Sequence, residues 1–282
     1  MKRTLIAVAL LLTCATPAHA ETPASIAVID SGAPTSLFNN IVGEYCVVEY
    51  YTCPNGKPTM EGPGASNIAP STNLNLTHGT EMMSIINQVN PLAKLVSIRI
   101  IGINNNMPAI YSLNAVKSAL DWVVANQVTY NIKVVNISQG KIFAGCAVPA
   151  GLAEDVTALV AKGVKVVAAT GNDSNRTAMM SPACLPDVIS VGATDNPDPG
   201  TSGKAWDPNA KPYIARYSNG NAQTTYYTNG RFITLQPSGK TKFMVGTSNA
   251  SAAMSGWLLS NPTPVTTTAS NDWLTGKYVL IK

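Results

Sequence analysis

Four polar residues stand where a folded chain would let them act on a substrate. Asp30 follows an apolar run, Ser25 to Ile29, and precedes Ser31-Gly32. A strand ending there would deliver its carboxylate to the edge of a sheet, although Asp-Ser-Gly taken alone is also an ordinary turn sequence. His78 stands in His78-Gly79-Thr80-Glu81, read as the opening of a helix, with Gly79 allowing backbone to come close to the ring. Ser248 lies between Gly246-Thr247 and the proline-free, Ala- and Ser-rich stretch Asn249 to Leu259. A helix starting at Ser248 would leave the serine N–H among the unpaired donors of the first turn, where the helix dipole favours developing negative charge. Asn172 ends Ala168-Ala169-Thr170-Gly171-Asn172 and offers an amide donor after a buried strand. Each residue has a bland reading: a turn aspartate, a surface histidine, a serine N-cap, a turn asparagine. Their conjunction is what points to chemistry, because an acid, a base, a nucleophile and a donor all fall at strand ends or helix starts on one side of the same expected sheet.

That sheet is predicted from apolar runs rich in Val and Ile. They are Ser25 to Ile29, Lys94 to Ile100, Lys133 to Ile137, Lys165 to Ala169 and Val188 to Val191. None alternates polar with apolar, as expected of strands buried on both faces. Between them lie helix-period segments, Thr80 to Asn87, Ser112 to Asn126 and Leu152 to Ala161. Alternating strands and helices predict a doubly wound α/β domain with a mainly parallel sheet, helices on both faces and three α/β/α layers, in which sites form at the carboxyl ends of strands. Asn39 to Thr77 is punctuated by Asn, Gly and Pro and is expected to be loops and hairpins. Tyr213 to Tyr217, Phe232 to Leu235 and Lys277 to Ile281 are expected to be late strands.

Composition narrows the function classes. Charged residues make up 12 % and hydrophobic residues 45 % of the chain, the profile of a compact globule and not of a disordered one. A net charge of +4 without any cluster of five or more Lys/Arg gives a nucleic-acid partner no electrostatic footing. Lys2 and Arg3, the apolar run Leu5 to Leu12 and Ala18-His19-Ala20 predict a signal peptide over residues 1–20 and a mature domain over 21–282, secreted or periplasmic. The run is too short to span a bilayer, so no membrane association is expected after cleavage. Reading Leu11-Leu12-Thr13-Cys14 as a lipoprotein site is the weaker alternative, because Thr13 suits that signal poorly. Removing the segment takes Lys2 and Arg3 away and lowers the net charge to +2. It also leaves one histidine of two and four cysteines of five. One histidine excludes a His-rich zinc site. An even set of cysteines in an exported chain predicts disulfides, for which three connectivities exist. Cys46 with Cys53 is preferred for one bridge, since it closes a small loop beside the Pro54-Asn55-Gly56 turn.

On Val28-Ile29-Asp30-Ser31-Gly32, His78-Gly79-Thr80, Ser138-Gln139-Gly140, Gly171-Asn172 and Gly246-Thr247-Ser248-Asn249-Ala250 through Gly256, the chain resembles the subtilisin-like serine proteases. The motifs run in that family's order of Asp, His and Ser. The resemblance implies Asp30 as orienting acid, His78 as general base and acid, Ser248 as nucleophile and, through its N–H, part of an oxyanion hole completed by Asn172. It implies Ser138, Gln139 and Gly140 as the edge that pairs with a substrate backbone. It also lends the second disulfide, Cys146 with Cys184, as a brace beside the specificity pocket. The implied activity is a secreted serine endopeptidase, a monomer that needs no cofactor and acts on proteins or peptides. A structural calcium ion has no ligand spacing to place it. The alternative is a catalytically weak scaffold of the same fold that binds peptides or a partner protein. Departures from the family pattern motivate it: Asp30 comes ten residues after the expected cleavage point, leaving no room for a propeptide. Asn249 and Ala252 replace the usual Met and Pro of the nucleophile helix. Gln139 stands where Leu is common, and Met179-Met180 are placed to narrow the specificity pocket.

Overall fold

The computed structural model describes residues 23–69, 73–104, 107–108, 111–195 and 212–281. The expected signal peptide over residues 1–20 lies outside the described residues. In chain order the strands are β1 (Ser25–Asp30), β2 (Ile41–Val47), β3 (Thr59–Glu61), β4 (Lys94–Arg99), β5 (Ile103–Asn104), β6 (Met107–Pro108), β7 (Ile132–Ile137), β8 (Lys165–Ala169) and β9 (Ile189–Asp195). After them come β10 (Tyr213–Ile214), β11 (Tyr226–Asn229), β12 (Arg231–Leu235), β13 (Thr241–Val245), β14 (Thr267–Ser270) and β15 (Thr275–Tyr278). The helices are α1 (Leu74–Val89), α2 (Leu113–Asn126), α3 (Leu152–Ala161) and α4 (Thr247–Ser260). The main sheet has eleven strands in the order β10-β14-β15-β11-β9-β8-β7-β1-β4-β2-β3, with β5-β6 and β12-β13 as separate hairpins. Its centre, from β2 through β4, β1, β7, β8 and β9 to β11, is parallel throughout.

Residue parity along the strands divides the interior into two cores. Ala27 and Ile29 of β1, Val96 and Ile98 of β4, Val135 and Ile137 of β7, and Val166 and Ala168 of β8 pack with α2 and α3. Ile26 and Val28, Leu95, Val134 and Val167 point the other way, into a second core with α1 and α4. Both faces are buried, which is why these strands read as unbroken apolar runs without alternation. The result is the three-layer α/β/α architecture, in which truncating a core Ile or Leu to Ala costs about 2–5 kcal/mol. Helix α4 goes further. Nearly every residue from Thr247 to Leu258 is buried, since the helix lies between the sheet and α1. Small residues permit that position: a Cβ on Gly256 would stand 3.1 Å from the Ile86 carbonyl oxygen of α1.

Some elements differ from expectation. The stretch 39–77 is not only loops and hairpins, because β2 joins the parallel sheet beside β4 and pairs antiparallel with β3. Mixed burial along Ile41–Val47 and a glycine at Gly43, packed on the Tyr130 ring, conceal β2 from a search for apolar runs. Strand β11 is concealed by its Tyr, Thr and Asn composition although it lies inside the sheet. Both disulfides form as expected. Cys46–Cys53 spans 6.0 Å between Cα atoms and Cys146–Cys184 spans 5.8 Å, the second joining the loops that leave neighbouring strands β7 and β8.

Candidate active site

The chain leaves β1 through α1 to reach β4 on one side, then crosses through α2 to β7 on the other. Loops at the carboxyl ends of β1 and β7 therefore run in opposite directions and open a crevice between them, the place where α/β sheets build their sites. Asp30 is the last residue of β1 and shares the parity of Ile26 and Val28, so it faces α1 and α4. It is fully buried. Its Oδ1 accepts the Ser31 N–H at 2.7 Å, and His78 Nδ1 lies 2.9 Å from both carboxylate oxygens.

His78 does not open its helix. Helix α1 begins at Leu74, so the ring leaves from the second turn, and the helix starts nearly two turns earlier than the apolar pattern from Thr80 implies. The helix is held over β1 by Ser31, whose Oγ accepts the Gly79 N–H at 2.8 Å and donates to the Leu76 carbonyl at 3.1 Å. Gly79 is needed for contact with backbone and not with the ring: a Cβ there would lie 2.4 Å from the Gly32 carbonyl oxygen. Gly32 itself has φ +82°, and a Cβ on it would meet the Ser66 carbonyl oxygen at 2.1 Å. Burial of the ring lowers the His78 pKa. The charge of Asp30, its hydrogen bond and the charge of Glu81 together outweigh that effect and hold it above the ordinary histidine value. The ring is 20 % exposed, so its outer edge reaches the cavity.

Ser248 is the second residue of α4, behind an N-cap at Gly246, and is 8 % exposed. Its backbone N–H is one of the first-turn donors without an intrahelical acceptor. Its hydroxyl donates to the Ser138 carbonyl at 3.1 Å. Asn172, which follows β8 and is exposed, accepts at Oδ1 from both the N–H and the hydroxyl of Thr247, at 2.9 and 3.0 Å. Two donors from one residue fix which end of the amide is oxygen, and Nδ2 is left as the donor available to a ligand. A cavity of about 310 Å³ brings His78, Ser138, Gln139, Gly140, Asn172 and Ser248 together. Met180 also lines it, whereas Met179 is buried against Thr224.

Ser138 to Gly140 continue β7 beyond its last ladder residue, and among the described residues no strand pairs with them. The Ser138 side chain turns inward, bonding Asn136 Oδ1 (3.1 Å) and Ser251 Oγ (2.8 Å), while Asn136 Nδ2 reaches Ser255 Oγ at 3.1 Å. This buried polar chain braces α4 on β7; Ser138 was a candidate only for its backbone, and Asn136, Ser251 and Ser255 were not among the sequence candidates. The signal was present as Ser248, Ser251 and Ser255 at i, i+3 and i+7 on one helix face. Ser31 and Thr247 were likewise unassigned, since each acts on a residue distant in sequence. Among the described residues no three His, Cys, Asp or Glu side chains are grouped to hold a metal ion.

A three-layer α/β fold with an Asp-His pair, a helix-start serine and an amide donor around one crevice defines a class of protein, and comparison with known sequences names it. The sequence model of the subtilase family matches residues 23–260, so the chain belongs to the subtilase family. It is 30 % identical over 133 residues to subtilisin-like protease 3 of Pseudogymnoascus destructans, an alignment covering 46 % of this chain and 31 % of that protein. The chain thus matches about a third of that relative's length. Solved structures share the fold at lower identity. Sphericase superposes with a TM-score of 0.62 at 19 % identity, covering 86 % of this chain and 79 % of its own. A psychrophilic protease gives 0.64 at 18 %, covering 84 % and 76 %.

Proposed function

We propose that the chain is an exported serine endopeptidase in which Asp30, His78 and Ser248 form the catalytic triad and Asn172 with the Ser248 N–H forms the oxyanion hole. The observation that carries this reading is the buried Asp30 carboxylate, 2.9 Å by both oxygens from His78 Nδ1, beside the cavity that holds the helix-start Ser248. A carboxylate so placed keeps the proton on Nδ1, leaving Nε2 as a base, and stabilises the imidazolium once the serine proton has been taken. In the resting molecule the Ser248 hydroxyl donates to Ser138. Rotation about its Cα–Cβ bond would present it to His78, an adjustment common when a site awaits substrate. Attack on a peptide carbonyl would place the oxyanion between the Ser248 N–H and Asn172 Nδ2, and His78 would then pass its proton to the leaving amine.

The backbone of Ser138 to Gly140, with which no strand pairs among the described residues, suits an extended peptide that would bind through main-chain hydrogen bonds with little dependence on sequence. The loop that follows leads to a cavity of about 640 Å³ bounded by Tyr50, Tyr51, Tyr111, Phe143 and Val148, apolar enough to take a side chain of the same peptide. Proteins or peptides are therefore the proposed substrates, and the chemistry uses no cofactor. Export is supported by the two disulfides, which persist in oxidising compartments. Among the described residues, no helix is long and apolar enough to cross a membrane.

The test is covalent labelling with a serine-directed phosphonate, followed by mass mapping of the adduct. Wild type is expected to carry one phosphonyl group on Ser248, and Ser248→Ala none. Equal labelling of the two, or none in wild type, would overturn the assignment. The second of these outcomes is what a peptide-binding scaffold without catalysis would give.

A further inference from the structure

Gln139 takes part in the site in a way its place in the substrate-facing segment does not require. It belongs to the stretch that leaves β7, and its side chain turns back toward the end of β1. The amide Nε2 lies 3.2 Å from Asp30 Oδ1 and 3.0 Å from His78 Nδ1. Asp30 Oδ1 thus faces three donors: the Ser31 N–H, the imidazole and this amide. Resting on the reading of Asp30 and His78 as acid and base, we infer that Gln139 is a positioning residue that shares the Asp30 carboxylate with His78 and weakens its hold on the ring proton.

Two effects give the inference its sign. An N–H donated to Asp30 satisfies part of the carboxylate charge that would otherwise stabilise a protonated ring. The positive end of the same N–H dipole also sits beside Nδ1, where it disfavours an imidazolium directly. Both make the imidazole easier to deprotonate, so it would be neutral, and able to accept the serine proton, at lower pH. The groups facing the ring are few. Asp30 approaches from β1 and Glu81 from three residues along α1, while α4 presents the uncharged Ser248. Of the residues lining the cavity, His78 and Glu81 are the ones with an acidic or imidazole side chain. A leucine at position 139 would keep much of the side chain's bulk and supply no donor.

The experiment follows the imidazole nitrogens of the full chain by long-range proton–nitrogen correlation between about pH 4 and pH 9. His78 is distinguished from His19 by the signals that vanish in His78→Ala. Gln139→Leu is expected to raise the His78 titration point by roughly half a unit, about threefold in the protonation constant. Gln139→Glu, which sets a second carboxylate beside the ring, is expected to raise it by about a unit or more. An unchanged titration point in Gln139→Leu would overturn the inference. So would a lower one, because it would mean that the amide oxygen faces the ring. The measurement uses free protein, so a role confined to binding substrate would not move it. Phosphonate labelling of the same samples separates the two proposals: absent labelling in wild type sinks the protease reading, while the titration still decides Gln139.

Discussion

Replacing Asp30 by Asn gives the sharpest test of how the site works. The substitution keeps the shape of a fully buried side chain and removes only its charge and one acceptor oxygen. With Nδ1–O distances of 2.9 Å, the centres of the carboxylate and imidazolium are about 4 Å apart, an attraction of roughly 4 kcal/mol at an effective dielectric of 20. Losing it from the transition state costs about three powers of ten in rate, since each 1.36 kcal/mol is tenfold. The asparagine brings a second loss, because its amide can donate to Nδ1 and favour the tautomer that carries hydrogen on Nε2, where the serine proton must go. Together these predict a fall in kcat of about 10⁴ in Asp30→Asn at neutral pH. The assay is hydrolysis of an extended peptide ester, with circular dichroism and thermal unfolding showing that the variant is folded. A folded variant that keeps its rate within about tenfold of wild type would refute the reasoning, since no carboxylate would then be orienting His78.

Other expectations follow from the same geometry. Because the proposed mechanism needs neutral His78 and its pKa is raised, the acid limb of the kcat/KM profile should have its midpoint above about pH 6.5, measured with a substrate whose own ionisation is silent. The same shift stabilises the folded state most fully below the unfolded histidine pKa, and that contribution is lost as pH rises through the folded value, which thermal unfolding against pH would register. If Asn172 serves the oxyanion as proposed, and not the ground state, Asn172→Ala should lower kcat by about 10²–10³ with little change in KM. Gly79→Ala drives a Cβ against the Gly32 carbonyl and should cost about 1–3 kcal/mol, visible as a lower Tm, with activity reduced as α1 shifts.

What the chain's own order of residues determined was local in character. Val and Ile runs reveal β1, β4, β7, β8 and β9 because both faces of each strand are buried, and burial on both faces leaves a composition that needs no neighbour to interpret. Parity then places Asp30 on the α1 face one residue after Ile29, and the helix start after Gly246 places Ser248. Strands β2 and β11 escaped because partners distant in sequence bury them, leaving Glu44, Tyr45 or Thr228 in places where no apolar run announces a strand. Tertiary structure alone decided how the site is joined. Contact between Gly79 and Gly32 sets the distance from α1 to β1, and with it whether His78 reaches Asp30. Thr247 turns Asn172, Ser138 holds the Ser248 hydroxyl, and Gln139 reaches back to Asp30 and His78. Each of these contacts joins residues tens of positions apart through one or two hydrogen bonds or a steric limit, and periodicity, which reports only the burial of a residue's own face, carries no trace of them.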